Sequence, residues 1–258
     1  MSDAARPIAI YPDLAGKVVF ISGGATGIGE ELTEAYARQG AVTCFVDIAE
    51  KEGEALEARL NAEGLKARFA YCDITKTADL QAAIRQFAAE EGPIRVLLNN
   101  AANDKRHDLE GLTEEFFDQT IAVNLRHQMF AAQAVVPMMK VAGGGSIVNF
   151  GSVSWMIKNP NLAAYAACKA AVHGMTRCLA RDHGADGIRV NTLVPGWVMT
   201  DKQLKLWVDD AARETIKMNQ CLPGQLLPRH IAQMALFLGS EASAMCTAQN
   251  YIVDGGWT

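Results

Sequence analysis

An apolar run, Val18–Ser22, leads directly into Gly23-Gly24-Ala25-Thr26-Gly27-Ile28-Gly29, and a helical pattern starts at once behind it. This junction constrains the fold more than any other stretch of the chain. Glycine permits a tight turn and lets backbone N–H groups come close to a ligand, and the following helix N-terminus favours an anion. A pyrophosphate suits such a cradle, which makes Gly23, Thr26, Gly27, Ile28 and Gly29 candidate phosphate contacts. The spacing is G-x-x-x-G-x-G rather than G-x-G-x-x-G, and an ordinary glycine-rich βα turn is the alternative. Its place after the first strand favours the dinucleotide reading.

The remaining sequence repeats the alternation. Short β-rich apolar runs recur at Val42–Asp47, Ala67–Cys72, Val96–Asn99, Ser146–Phe150, Arg189–Leu193 and Asn250–Val253. Between them lie stretches with helical spacing: Glu30–Gln39, Glu50–Glu63, Thr77–Glu91, Thr113–Lys140 and Tyr165–His183. Thr77 and Thr113 stand where N-caps belong, each with acidic residues in the next turn. Continuous apolar strands separated by helices predict a parallel sheet covered on both faces. The expected fold is α/β: a single doubly wound Rossmann-type domain over residues 1–258, with about seven strands. No repeat, low-complexity tract or linker interrupts it. The connection Pro195–Pro228 is long for a loop and predicts a substrate lid around 196–228.

Composition excludes several classes. The 258 residues carry 24 Lys+Arg against 29 Asp+Glu, a net charge of −5 with no basic run, which argues against nucleic acid as a partner. No stretch is long and apolar enough to span a membrane. Met1–Pro7 has one Arg and no apolar core, unlike a signal peptide. The six cysteines show no C-x-x-C spacing. They read as reduced thiols of a cytoplasmic protein, with no metal site expected.

In a doubly wound sheet, ligands bind beyond the carboxyl ends of the strands. Asp47 ends the second strand, where a carboxylate accepts both hydroxyls of an adenosine ribose and repels a 2′-phosphate. Neighbouring Ile48 and Ala49 bring no cation for such a phosphate, so NAD is favoured over NADP. The alternative is that Asp47 caps a turn. Asp73 and Ile74 follow the third strand, placed either to reach the adenine or to cap the next helix. Tyr165 and Lys169 stand four residues apart and share a helix face. A tyrosine with pKa about 10 is a poor base at neutral pH, and a nearby ammonium is expected to lower it. Ser152 follows the fifth strand, placed to hydrogen-bond the substrate oxygen beside the phenol. Asn99-Asn100 closes the fourth strand and braces the cofactor side. Asn124 interrupts a helical pattern. It makes either a local hydrogen bond or a kink whose backbone carbonyl orders a water beside the lysine.

These residues resemble the short-chain dehydrogenase/reductase family. The resemblance runs from Leu14 to Thr258 and rests on the Ser22–Gly29 loop, Asn99-Asn100-Ala101, Ser152, Tyr165-x-x-x-Lys169, Pro195-Gly196 and Asp254-Gly255-Gly256. It implies Tyr165 as acid/base and Lys169 as ribose contact and tuner of Tyr165. It also implies Ser152 as substrate-orienting, Asn124 as holder of a proton-relay water and Thr200 as carboxamide contact. Asn100, Ala101, Pro195 and Val198 join the cofactor contacts by the same resemblance, and a homotetramer is implied. Two departures stand out. Ala102 replaces the glycine of Asn-Asn-Ala-Gly, so the cofactor-side turn is expected to differ slightly. Cys168 replaces the serine often found before the lysine; it is expected to be silent, and oxidation-sensitive only if exposed.

The substrate is read from the same strand ends. Asn103-Asp104-Lys105-Arg106-His107, Ser154-Trp155, Asn159 and Trp197 describe a polar pocket with a tryptophan platform, suited to a compact, hydroxyl-rich substrate. Candidate substrate contacts are Asn103, Arg106, Ser152, Ser154, Trp155, Asn159, Tyr165 and Trp197. Arg106 and His107 as a solvated loop pair, and Trp155 as packing under the lid, are the alternatives. Asn-Asp-x-Arg-His, Val123–His127 and Asn149–Trp155 are similar to bacterial aldose 1-dehydrogenases acting on D-xylose, L-arabinose, D-galactose or L-fucose. That similarity implies oxidation of the sugar C1 hydroxyl to an aldonolactone, with the hydride passing to NAD. A 3-oxoacyl-thioester or polyol enzyme and a non-catalytic NAD-sensing protein are the alternatives.

Overall fold

The computed structural model describes residues 9–258, and the reading of Met1–Pro7 lies outside them. Seven strands form one all-parallel sheet in the order β3-β2-β1-β4-β5-β6-β7. They are β1 (Val18–Ser22), β2 (Val42–Asp47), β3 (Lys66–Tyr71), β4 (Ile94–Asn99), β5 (Gly145–Phe150), β6 (Ile188–Pro195) and β7 (Asn250–Val253). Helices α1 (Gly27–Arg38), α2 (Glu50–Ala62) and α9 (Pro228–Gly239) share one apolar core with the sheet, and α3 (Thr77–Glu91) and α5 (His127–Val141) contribute to a second. Every residue of β1 is buried, because helices cover both faces of a central parallel strand. Tyr36 is fully buried, and its hydroxyl donates to the Ala235 carbonyl at 2.6 Å, tying α1 to α9.

Register sets the site. Ser22 pairs with Val46 on one side and Asn99 on the other, and Asn99 pairs with Asn149. The carboxyl ends of β1, β2, β4 and β5 therefore lie level, at the point where chain direction across the sheet reverses.

Three local expectations change. Thr77 is the first residue of α3 rather than its cap; Lys76 holds the cap position, and its side chain makes no cap bond. Thr113 does cap α4 (Glu114–Ile121), accepting from the Phe116 N–H at 3.2 Å. The single helix expected over Thr113–Lys140 is divided by a π turn at Ala122–Arg126, with α5 following. Beyond β6, the expected lid contains two short helices, α7 (Asp201–Leu206) and α8 (Asp210–Asn219). A small cluster of Met199, Val208 and Ile216, with Trp197, Leu227 and Trp257 against it, holds this segment.

Candidate active site

The glycine loop is built for close approach. Gly23 and Gly27 have φ of +67° and +59°. A Cβ on Gly23 would lie 2.8 Å from the Ala101 Cα, and one on Gly29 would collide with the Gly23 carbonyl. Asn100 Nδ2 donates to the Gly23 carbonyl at 2.8 Å, and the Ala101 N–H to Ser22 Oγ at 3.2 Å, so β4 braces the loop. Exposed Thr26 makes no side-chain bond to α1. A cradle that side chains would fill, opening on a helix N-terminus, fits a dinucleotide pyrophosphate. Ala102 is not at positive φ, so alanine sits there without strain.

Asp47 caps the adjoining turn, accepting from the Ala25 N–H at 3.0 Å and the Ala49 N–H at 3.1 Å, while still facing the cleft. Asp73 Oδ1 accepts from the Thr75 N–H at 3.0 Å and the Thr75 hydroxyl at 2.7 Å, in the turn before α3. An open cleft of about 1560 Å³ runs along these strand ends, larger than a small-molecule pocket needs. All the candidate catalytic, cofactor and substrate residues line it except Asn124 and Trp155.

Trp155 is a correction. Ser152 starts a short 3₁₀ turn, Val153–Trp155, with its Oγ accepting from the Ser154 N–H at 3.1 Å. Successive side chains diverge by about 120° in such a turn. Ser154 therefore stays with the cleft, while the Trp155 ring packs edge-on against His173 at 5.2 Å. Trp197 does line the cleft, 6.4 Å from Trp257.

Tyr165 and Lys169 lie on α6 (Ala163–His183), beside Ser152. Lys169 is 1% exposed, and its Nζ donates to the Phe150 carbonyl at 2.8 Å. Burial lowers its pKa to about 8. Burial also pushes the Tyr165 phenol above its ordinary value; its hydrogen bond with Ser152 opposes this, and the Asp104 carboxylate adds to it. The lowering expected from the Tyr–Lys spacing is not found. The ammonium lies 5.7 Å from the phenol ring centroid and is directed to the Phe150 carbonyl, so desolvation dominates.

Asn124 is fully buried behind the cleft. Its side chain accepts from the Asn103 N–H at 2.9 Å and donates to the Asn103 and Thr120 carbonyls at 3.1 and 3.0 Å. Its backbone carbonyl accepts from Gln128 Nε2 at 3.1 Å. Gln128 was not expected at the site, yet it also reaches the Phe150 carbonyl, at 3.4 Å, which it shares with Lys169. Neighbouring His127 is buried with its pKa lowered to about 3 by desolvation and Lys169, which keeps it neutral. Cys168 is 3% exposed, and burial raises its pKa, so the thiol is shielded.

The loop after β4 does more than line the pocket. Asp104 accepts from Lys202 Nζ at 2.9 Å and from Gln203 Nε2 at 2.8 Å, reaching across to α7. The Arg106 guanidinium stacks on the Trp207 ring at 4.5 Å, and no Arg106–His107 pair forms. His107 Nε2 accepts from the Ala164 N–H at 3.3 Å, capping the start of α6. Gln203, Lys202 and Trp207 escaped the sequence reading; only the unusual polarity of the Asn103–His107 run hinted at long-range partners.

The family model described as enoyl-(acyl carrier protein) reductase matches residues 23–258. D-xylose 1-dehydrogenase of Caulobacter vibrioides is 45% identical over 249 residues, which is 96% of this chain and 98% of that protein. The "Probable galactose dehydrogenase GalD" of Rhizobium meliloti is 42% identical over 251 residues, 97% and 98% of the two chains. The crystal structure of a gluconate 5-dehydrogenase from Burkholderia cenocepacia, in complex with NADP and tartrate, matches with a TM-score of 0.89 at 32% identity, over 96% of this chain and 97% of that one. With its 3-2-1-4-5-6-7 parallel sheet and a cleft at the strand ends, the chain belongs to the short-chain dehydrogenase/reductase family.

Proposed function

We propose that this protein is an NAD-dependent aldose 1-dehydrogenase, oxidising the C1 hydroxyl of a sugar to an aldonolactone. The observation that carries the reading is the 45% identity to a D-xylose 1-dehydrogenase across 96% of the chain, and the galactose dehydrogenase supports it. A cleft bearing Asn103, Ser154, Asn159 and Trp197 suits a small polyhydroxylated substrate. The glycine loop, Asp47, Ile48, Asp73, Ile74, Asn100, Ala101, Pro195, Val198, Thr200 and Lys169 are the residues to hold the dinucleotide. When bound, that cofactor supplies the hydride acceptor.

The chain's own groups handle the proton. Tyr165 takes it from the substrate hydroxyl. Ser152 Oγ already accepts the Ser154 N–H, so its proton is free to donate to the reacting oxygen or the phenol. Lys169 supplies positive charge beside the phenol in a desolvated site, where charge counts for most. Asn124 is the residue to order a relay water through its backbone carbonyl, which stands in the π turn and accepts from Gln128 Nε2.

Preference for NAD rests on charge. A 2′-phosphate would meet the Asp47 carboxylate. Arg59, the cation on α2 that lines this end of the cleft, is paired with Glu34 at 2.9 Å and Glu30 at 3.5 Å. Residues 196–228 act as the lid. The homotetramer is part of the proposal and is tested by sedimentation.

The test is NADH formation at 340 nm with a panel of aldoses, using NAD and then NADP. Turnover of a pentose or hexose with NAD supports the reading; silence on all sugars by folded protein overturns it. A 3-oxoacyl-thioester reductase is the second reading, favoured by 36% identity to a 3-oxoacyl-[acyl-carrier-protein] reductase of Thermotoga maritima. It predicts NADPH oxidation with an acyl thioester instead. Tyr165→Phe separates catalysis from mere sensing: turnover is lost and NADH binding is kept.

A further inference from the structure

Helix α7 buries none of its residues; the cluster of Met199, Val208 and Ile216 holds the chain on either side of it, and the helix itself is tied by polar contacts from the loop after β4. That loop is itself anchored: both backbone groups of Asn103 pair with the Asn124 side chain, and the His107 N–H donates to the Asn161 carbonyl at 2.9 Å. Between these anchors, Asp104 projects to α7. One carboxylate oxygen takes Lys202 Nζ at 2.9 Å and the other takes Gln203 Nε2 at 2.8 Å. Gln203 Oε1 in turn accepts from Trp197 Nε1 at 2.9 Å.

The direction of this relay is set by chemistry. A carboxylate only accepts and an indole N–H only donates, so the amide of Gln203 has one orientation that satisfies both. We propose that Asp104 is a positioning residue for substrate: by orienting Gln203 it holds the Trp197 indole as a fixed wall of the sugar pocket and keeps α7 closed on the cleft. The role rests on the aldose reading for its substrate, while the lid contact itself does not.

The Asp104–Lys202 ion pair is partly exposed, with the lysine side chain at 53%, so its share is small. The half-buried hydrogen bond to Gln203 carries the larger part. Losing one hydrogen bond to a charged group is worth roughly tenfold in affinity.

The test compares Asp104→Ala, Asp104→Asn, Lys202→Met and Gln203→Leu. Asp104→Ala is expected to raise the sugar KM about tenfold, with the NADH dissociation constant within about threefold of the unmodified protein. Asp104→Asn keeps an acceptor for Gln203 and is expected to restore most of the KM; Lys202→Met changes it less than about twofold. In a Gln203→Leu background, Asp104→Ala adds nothing further to KM. Hydrogen exchange of the 201–207 amides, read without any substrate, is expected to quicken in Asp104→Ala and not in Asp104→Asn. Unchanged KM and exchange in Asp104→Ala, or additive effects with Gln203→Leu, overturns the proposal. If no aldose is turned over by the unmodified protein, the aldose reading fails alone, and the exchange comparison still decides the role of Asp104 in holding the lid.

Discussion

Lys169 is the group whose burial costs the fold most directly, and replacing it by methionine turns that cost into a measurement. Its ammonium is 1% exposed and has its pKa lowered from 10.5 to about 8 by desolvation. At about 1.4 kcal/mol per pH unit, holding the charge at pH 7 costs about 3 kcal/mol. Methionine matches the length without the charge. It forfeits the 2.8 Å hydrogen bond to the Phe150 carbonyl, worth about 1–2 kcal/mol, but that carbonyl keeps its contact with Gln128. Lys169→Met is therefore expected to gain about 1–2 kcal/mol at pH 7, which at this size raises Tm by ~3–6 °C, while turnover is lost. The pH dependence carries the sign. Between pH 8 and 10.5 the folded lysine is neutral and the unfolded one still protonated, so the unfolded state binds more protons and the native protein gains stability as pH rises. The advantage of the variant should thus be constant below pH 8, then fall by about 3 kcal/mol towards pH 10.5 and so reverse, leaving the unmodified protein the more stable by about 1–2 kcal/mol. Cys44 and Cys72, whose pKa values burial raises to about 12 and about 11, titrate in both proteins and cancel in the difference. Urea unfolding of both proteins from pH 7 to 10, without cofactor, measures it. A variant less stable at pH 7, with a gap independent of pH, would refute the assignment of burial as the dominant force on Lys169.

Other perturbations follow from the same geometry. Gly29→Ala forces a methyl onto the Gly23 carbonyl, so NADH binding, read by fluorescence titration, is expected to weaken by at least about tenfold. Tyr36→Phe removes the buried 2.6 Å bond to Ala235 and is expected to cost about 1–2 kcal/mol in urea unfolding, with kcat unchanged. Asp47→Ala frees two backbone N–H groups and removes the charge proposed to meet the ribose; the ratio of kcat/KM for NADP to that for NAD is expected to rise at least about tenfold, and an unchanged ratio would assign the preference elsewhere.

Much of this protein was legible along the chain. Val18–Ser22, Val42–Asp47 and Asn250–Val253 emerge with the bounds their apolar runs predict, because strand burial leaves a local mark that needs no knowledge of partners. The glycines after β1 are equally local: Gly23 and Gly29 stand where an added side chain would strike neighbouring backbone. Tyr165 and Lys169 could be read as one helix face and Ser152 as a strand-end hydroxyl from local spacing alone, while their expected roles came from the resemblance to a family.

What the sequence determined by itself was the order of elements, the parallel sheet and the strand ends at its switch point. The tertiary structure alone decided which tryptophan faces the cleft, since Trp155 turns to His173 and Trp197 does not. It alone divided the helix at Asn124 and set Gln128 behind the lysine. It alone joined Asp104 to Gln203 across 99 residues. The division has a physical cause. Periodicity and glycine placement express forces acting within a few residues, whereas a side chain's rotamer, its hydrogen-bond partner and the balance between burial and charge on Tyr165 depend on groups that only the packed chain brings together.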